Sequence, residues 1–459
     1  MTNRIRIKKK TIYALVVLFC ASIVSAAITL VDPTAEWDKP IISILWLVVL
    51  TIAVVELFSH NVLEGFHEQI VIGVAWAVRV IYVTLNNLDI ITFRGDPFFD
   101  MAHGLYYGYD HVINGNYPIL TNYPTVLVGE FKIFGINRYV TCYINAFISM
   151  LAIYFLLKCF CLLRIKRGVR LFLLFCFSFN AFFILYGSEV FREPIYTLFV
   201  TMSLYYYIKW TISRQPHSIM IALVTLIPVI WLHGGYVMIA GGYIISCIID
   251  FRRITFERMI YKSILVVTST MVAAFALFGS WLSGVSYINV LNMEGGVSAY
   301  WEHFDYVQTV INSDAGSHYL GWMVGVSSLG AVIIYTPIRM MYFLYSPMIW
   351  DCYRVQDYLL FFTDSILFLL ALVLLLLTCI FKAKKSRKMG TTYRSVLAGT
   401  TAAIILTSIP FAWGTFNSGT AIRHRNCLLP LVLVQIAICF SVRKKERANK
   451  GRVVECAEN

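Results

Sequence analysis

The chain has 459 residues, 59% of them hydrophobic and only 14% charged, with a mean hydropathy of +0.72. A soluble domain carries about a quarter charged residues, so a single soluble core is excluded and repeated membrane spans are implied. The net charge of +13 would suit nucleic acid, but the basic residues recur near the ends of apolar runs rather than in one patch, and that partner is excluded too.

Apolar runs fall at roughly 11–31, 40–58, 69–87, 138–162, 170–187, 195–211, 218–233, 235–250, 263–282, 359–381, 395–413 and 426–441. Each is read as one crossing, which predicts an all-α polytopic membrane protein of about 12 transmembrane helices in a single integral domain, residues 1–459. The first run is read as a retained span, because it is long for a signal peptide and lacks a clear small-residue cleavage site.

With the N-terminus in the cytoplasm, the inner segments and their immediate flanks hold 27 of the 38 Lys and Arg. They include RIRIKKK near the start, KAKKSRK at 382–388 and RKKERANKGR near the end. This positive-inside bias predicts a multi-pass protein of the cell's inner membrane with both termini cytoplasmic. Arg79 falls in mid-span and needs a partner or a wet cavity.

Two larger extracytoplasmic loops remain, 88–137 and 283–358. Within the second, 320–350 is apolar but holds Pro337, Arg339 and Pro347. Keeping KAKKSRK inside needs an even number of crossings there, so a re-entrant or interfacial pair of helices is expected, or a true hairpin of two spans.

In chain order, four polar constellations fall at the outer ends of spans. In the first loop, Asp96 can cap a helix that starts at Pro97, and Asp100, His103 and Tyr107 then share a face. Either carboxylate could serve as general base for a sugar hydroxyl; equally, Asp96 could be a cap and Asp100 a solvated side chain. In GSEVFREP (187–194), Arg192 and Glu193 open the next span at a tight outer turn. Arg192 could grip a lipid phosphate bidentately, or pair locally with Glu189 or Glu193.

In LHGGY (232–236), His233 ends a span before a Gly-Gly turn. It could donate to a phosphate, or simply stabilise the turn. In NSGTAIRHR (417–425), the cations Arg423, His424 and Arg425 run against the positive-inside trend, and Gly419 with Thr420 could form a backbone nest for an anion. Snorkelling toward lipid headgroups is the plainer alternative. The 11 cysteines form no metal-ligand spacing and read as small buried hydrophobes; no metal and no cofactor are expected.

The stretch from Asp96 to about Asn145 reads DPFFDMAHGLYYG, then a YP turn, then IFG and an IN pair opening the next span. It resembles the N-terminal part of GT-C superfamily glycosyltransferases. SEVFREP and TPIRMMYFLYSP (336–347) resemble bacterial membrane proteins of surface-polysaccharide clusters. FREP followed about forty residues later by LHGG is similar to Wzy-type O-antigen and capsule polymerases. Together these cover about two-thirds of the chain.

The resemblance implies a polyprenyl-phosphate-linked sugar donor used outside the cytoplasm, with an Asp of the first outer loop as base and cations on the departing phosphate. Asp96 or Asp100 would be that base, with His103 and Glu193 in support. Arg192, His233, Arg423, His424 and Arg425 would bind phosphate. The adjacent acid pair of many family members is missing, since Pro97 follows Asp96, and two spans precede the loop where many have one; both Asp residues therefore stay open.

The expected partners are a polyprenyl-linked sugar or oligosaccharide, an acceptor glycan and the lipid bilayer. A repeat-unit polymerase is the second reading. A lipid-linked glycan transporter or flippase is the rival from another class; it should carry charge deep in several spans, where Arg79 is nearly alone.

Overall fold

The computed structural model describes residues 38–61, 66–88, 90–91, 98–108, 122–250, 329–382, 391–415 and 418–441. Every regular element among them is helical. Among the described residues five helices are long and apolar enough to cross a membrane: Ile41–Phe58, His67–Asn87, Arg138–Leu162, Asp357–Thr378 and Thr391–Trp413. Counting each of two bent pairs as one span raises this to seven. The described residues are all-helical, and their apolar helices are those of a multi-pass membrane protein.

The five spans coincide with five of the apolar runs. Three other runs break. The run at 170–187 forms two helices, Arg167–Ser178 and Ala181–Gly187, bent by 52°. Asn180 sits at the break and its side chain accepts from the Phe183 N–H at 2.9 Å, so the second helix starts with its own cap. The run at 218–233 forms two short helices, Pro216–Val224 and Ile227–Leu232, the second with Pro228 in its first turn. The run at 426–441 continues a preceding helix, Ser418–Asn426, through a 66° bend. The runs at 11–31 and 263–282, and most of the loop at 283–358, lie outside the described residues. So does the first half of the helix pair expected over 320–350; Leu329–Tyr345 is one helix with Pro337 inside it.

The described helices fall into two compact units. One takes the residues up to Lys158 together with Leu174–Leu198; the other takes Cys159–Leu173 and the residues from Phe199 onward.

In the first unit, α1 (Asp38–Asn61) and α2 (Phe66–Asn87) are tied by Trp76, whose indole N–H donates to Thr51 at 3.0 Å. The short α3 (Phe98–Tyr107) lies on α4 (Tyr123–Phe134). Phe98 meets Tyr123 edge-to-face at 5.3 Å, and Phe99 meets Phe131 at 5.2 Å. Helix α5 follows from Arg138.

In the second unit, α6 (Val237–Asp250) packs on α7 (Thr391–Gly414). A Cβ on Gly242 would overlap the Ala403 backbone, and one on Gly399 would overlap the Tyr207 hydroxyl. Small residues at a helix contact let backbones approach where lipid removes the hydrophobic drive between helices. Tyr207 stacks on Tyr243 at 4.1 Å, and its hydroxyl reaches Ser246 and the Ser395 carbonyl at 2.7 Å each.

Candidate functional site

The four constellations divide between the units. Asp100, His103, Arg192 and Glu193 belong to the first; His233, Arg423, His424 and Arg425 belong to the second. Asp96 lies outside the described residues.

In the first unit the site forms around the turn from Gly187 to Glu193. Asn145, fully buried on α5, holds that turn. Its amide donates to the carbonyls of Glu189 at 2.6 Å and Phe191 at 3.1 Å, and to the Tyr123 hydroxyl at 3.2 Å. Ser149, one helical turn further, leaves no room for a side chain at Gly187. The helix that leaves the turn starts at Glu193 with Pro194 in its first turn, where a missing N–H costs nothing.

This geometry sets Arg192 between two rings. Its guanidinium carbon lies 5.8 Å from the centroid of Phe98 and 5.7 Å from that of Tyr196. Its side chain is 13% exposed, and its nearest carboxylate contact is a long one, 4.0 Å from Nε to Glu193. Among the described residues it makes no hydrogen bond, so its donors stay uncommitted. Phe98 opens α3, and Asp100 stands exposed in the first turn of that same helix. His103 is partly buried, its ring 4.9 Å from Tyr107. Aromatic packing through Phe98 thus sets a carboxylate-bearing helix beside an open cation.

Three further groups belong to this site: Glu189, which sequence reasoning offered only as a local partner for Arg192, and Arg138 and Glu130, which it missed. Glu189, offered above as a partner for Arg192, turns inward instead. It accepts from the Asn86 amide and from Arg138 Nη2, the latter at 3.3 Å. Burial pushes its carboxyl above the ordinary range, while Arg138 and Asn86 act against that. Arg138, the first residue of α5, carries no motif; its spacing of 51 residues from Glu189 is a tertiary fact. Glu130 on α4 is the second acid near Tyr123. Burial pushes its carboxyl up to about 7, with Thr141 within hydrogen-bonding reach of the group, and one of its oxygens is buried with no partner among the described residues.

Arg79 is fully buried on α2. Its Nη1 donates to the carbonyls of Ala75 at 3.0 Å and Ser178 at 3.1 Å, and Phe183 lies 5.0 Å from its guanidinium carbon. Its partners in mid-span are therefore backbone carbonyls and a ring.

The second unit handles its cations differently. Arg425 is completely enclosed. Its Nε and Nη2 donate to one oxygen of Asp364 at 2.7 and 2.5 Å, Nη2 also to Ser365 at 2.9 Å, and Nη1 to the Phe343 carbonyl at 3.0 Å. Asn426 donates to the other Asp364 oxygen at 3.3 Å. A π-helical turn, Phe361–Ser365, presents Asp364 and Ser365 together. Arg425, expected to bind phosphate, thus spends Nε and Nη2 on the ion pair with Asp364 and Nη1 on the Phe343 carbonyl, with its side chain 0% exposed.

His424 is buried and faces His233, the two ring centroids 4.9 Å apart, with Phe411 at 4.8–4.9 Å from both. Tyr236 donates to the His424 carbonyl at 2.9 Å, which ties the LHGGY turn to the RHR segment. Arg423 is partly exposed. Gly419 and Thr420 lie in the first turn of the helix Ser418–Asn426.

No group of three His, Cys, Asp or Glu among the described residues is arranged to hold a metal. No family model, no curated protein and no solved structure matches the chain.

Proposed function

We propose that the protein is a glycosyltransferase of cell-surface polysaccharide biosynthesis. It sits in a bacterial inner membrane, with about twelve spans and both termini cytoplasmic, and uses polyprenyl-(pyro)phosphate-linked donors on the extracytoplasmic face. The observation that carries the reading is Arg192, an uncommitted guanidinium held between Phe98 and Tyr196 and next to the helix that bears Asp100.

A hydroxyl oxygen of the acceptor glycan attacks the anomeric carbon of the donor sugar. The new glycosidic C–O bond forms as the bond from that carbon to the phosphate oxygen breaks. A carboxylate of the first outer loop, Asp100 or Asp96, takes the hydroxyl proton. Arg192 neutralises the departing phosphate, where a preorganised cation contributes most. Arg425 acts in this scheme only by holding its own unit together.

Complementation tests the reading. The gene is deleted and restored as wild type, Asp96→Asn, Asp100→Asn or Arg192→Ala at matched expression, and the surface glycan is run on a gel. Full-length chains lacking one sugar in the deletion, with loss of rescue by one Asp variant and by Arg192→Ala, are the expected result. Single repeats left on lipid would make the protein the repeat-unit polymerase instead. An unchanged glycan would sink both readings and favour transport.

A further inference from the structure

Arg138 and Glu189 form an ion pair whose two halves live in different surroundings. The Glu189 side chain is 1% exposed, whereas that of Arg138 is 46% exposed. The acid is inside and the cation faces out. Glu189 takes only Nη2 of the guanidinium. It does not depend on Arg138 alone, because the Asn86 side chain and the Val190 backbone also donate to it. The charge of Asp100 acts on Arg138 as well.

A cation that served only to neutralise a buried acid would be drawn in with it. Arg425 is the example within this chain, where both partners of the pair are 0% exposed. Arg138 is instead anchored by Glu189 through Nη2, with the Cys142 side chain also within its reach, and nearly half of its side chain stays exposed. Anchoring fixes its position at little further entropic cost, which is what a phosphate-binding fork requires.

We infer that Arg138 is a second anion-contacting residue of the first-unit site, held by Glu189 so that the exposed part of its guanidinium meets the phosphoryl oxygens of the lipid-linked donor. The inference rests on the glycosyltransferase reading for the identity of that donor. It makes Glu189 a positioning residue. It also gives Arg138 a place between the carboxylate that takes the proton and the phosphate that leaves.

The test is binding of farnesyl diphosphate, a short polyprenyl diphosphate, to the purified full-length protein in nanodiscs. Arg138→Gln is expected to weaken binding at least tenfold, and Arg138→Lys to fall between it and the wild type. The double variant Arg138→Gln/Glu189→Gln removes the acid that the single variant would strand, so it keeps the fold while still lacking the fork. It should bind as weakly as Arg138→Gln. Recovery of wild-type affinity in the double variant would show that Arg138 merely neutralises Glu189, and would overturn the inference alone. Unchanged binding in Arg138→Gln would do the same. A wild-type protein that does not bind the probe would overturn the phosphate-linked donor as well.

Discussion

The two units each place arginines at the ends of helices, and they use them in opposite ways. In the second unit, Arg425 is saturated by Asp364, Ser365 and a carbonyl. In the first, Arg192 touches rings and a distant carboxylate, and Arg138 pairs with Glu189 while its side chain stays 46% exposed. Arg192 and Arg425 both read from the sequence as phosphate-binding cations at the outer ends of spans, while Arg138 is not singled out. What separates them is how fully the guanidinium is enclosed and how many of its donors are taken: Arg425 is 0% exposed, Arg192 13% and Arg138 46%. A saturated arginine contributes to the fold, and an unsaturated one is available to a ligand.

The largest effect is expected at the saturated pair. Asp364→Asn or Arg425→Met leaves one charge or polar fork buried without its counterpart, which costs about 3–5 kcal/mol. Thermal unfolding in detergent should show a large loss for each single variant. The double variant Asp364→Leu/Arg425→Met should recover most of it, since an apolar pair of similar volume is often nearly neutral. A double variant as unstable as the singles would mean that Ser365, Asn426 and the Phe343 carbonyl need the charges for their own arrangement.

Arg192→Ala sharpens the contrast from the other side. Loss of charge-assisted hydrogen bonds to a phosphate should weaken donor binding by about 1.5–3 kcal/mol, roughly ten- to a hundredfold. Stability should fall by only about 0.5–1 kcal/mol, the worth of its ring contacts. A stability loss as large as that of Arg425→Met, with donor affinity unchanged, would place Arg192 among the structural arginines and remove the basis of the proposed site.

The helices were the most legible part of the chain. Runs at 40–58, 69–87, 138–162, 359–381 and 395–413 become spans because an apolar stretch of that length has few other stable forms in lipid. The breaks were less legible, although Asn180 at one of them is an ordinary capping residue that an apolar-run count ignores. The site was legible where local spacing sets it. Phe98, Asp100 and His103 share one short helix, and Arg192 and Glu193 share one turn. It was illegible where pairing is long-range. Asp364 sits inside an apolar run and its partner lies 61 residues away, so Arg425 read as an open cation. Arg138 reads as one more interfacial arginine until Glu189 is seen behind it.

Glu130 extends the comparison to carboxylates. Asp364 has a full cation against it, while Glu130 has none among the described residues and burial pushes its carboxyl from 4.5 up to about 7. Below the lower value the group is protonated whether the chain is folded or not, and it has no effect on stability. Between the two values the unfolded chain releases a proton that the folded chain keeps. Stability therefore falls as pH rises through that window and stays level above it, by at most about 3 kcal/mol. Glu130→Gln keeps the shape without the charge and removes this pH dependence. Unfolding temperatures of wild type and Glu130→Gln, taken at pH 5 and pH 8 in one detergent, should differ more at pH 8, with the variant the more stable there. An equal difference at both pH values would mean that Glu130 finds a cation or water when ionised, as Asp364 finds Arg425 in the second unit.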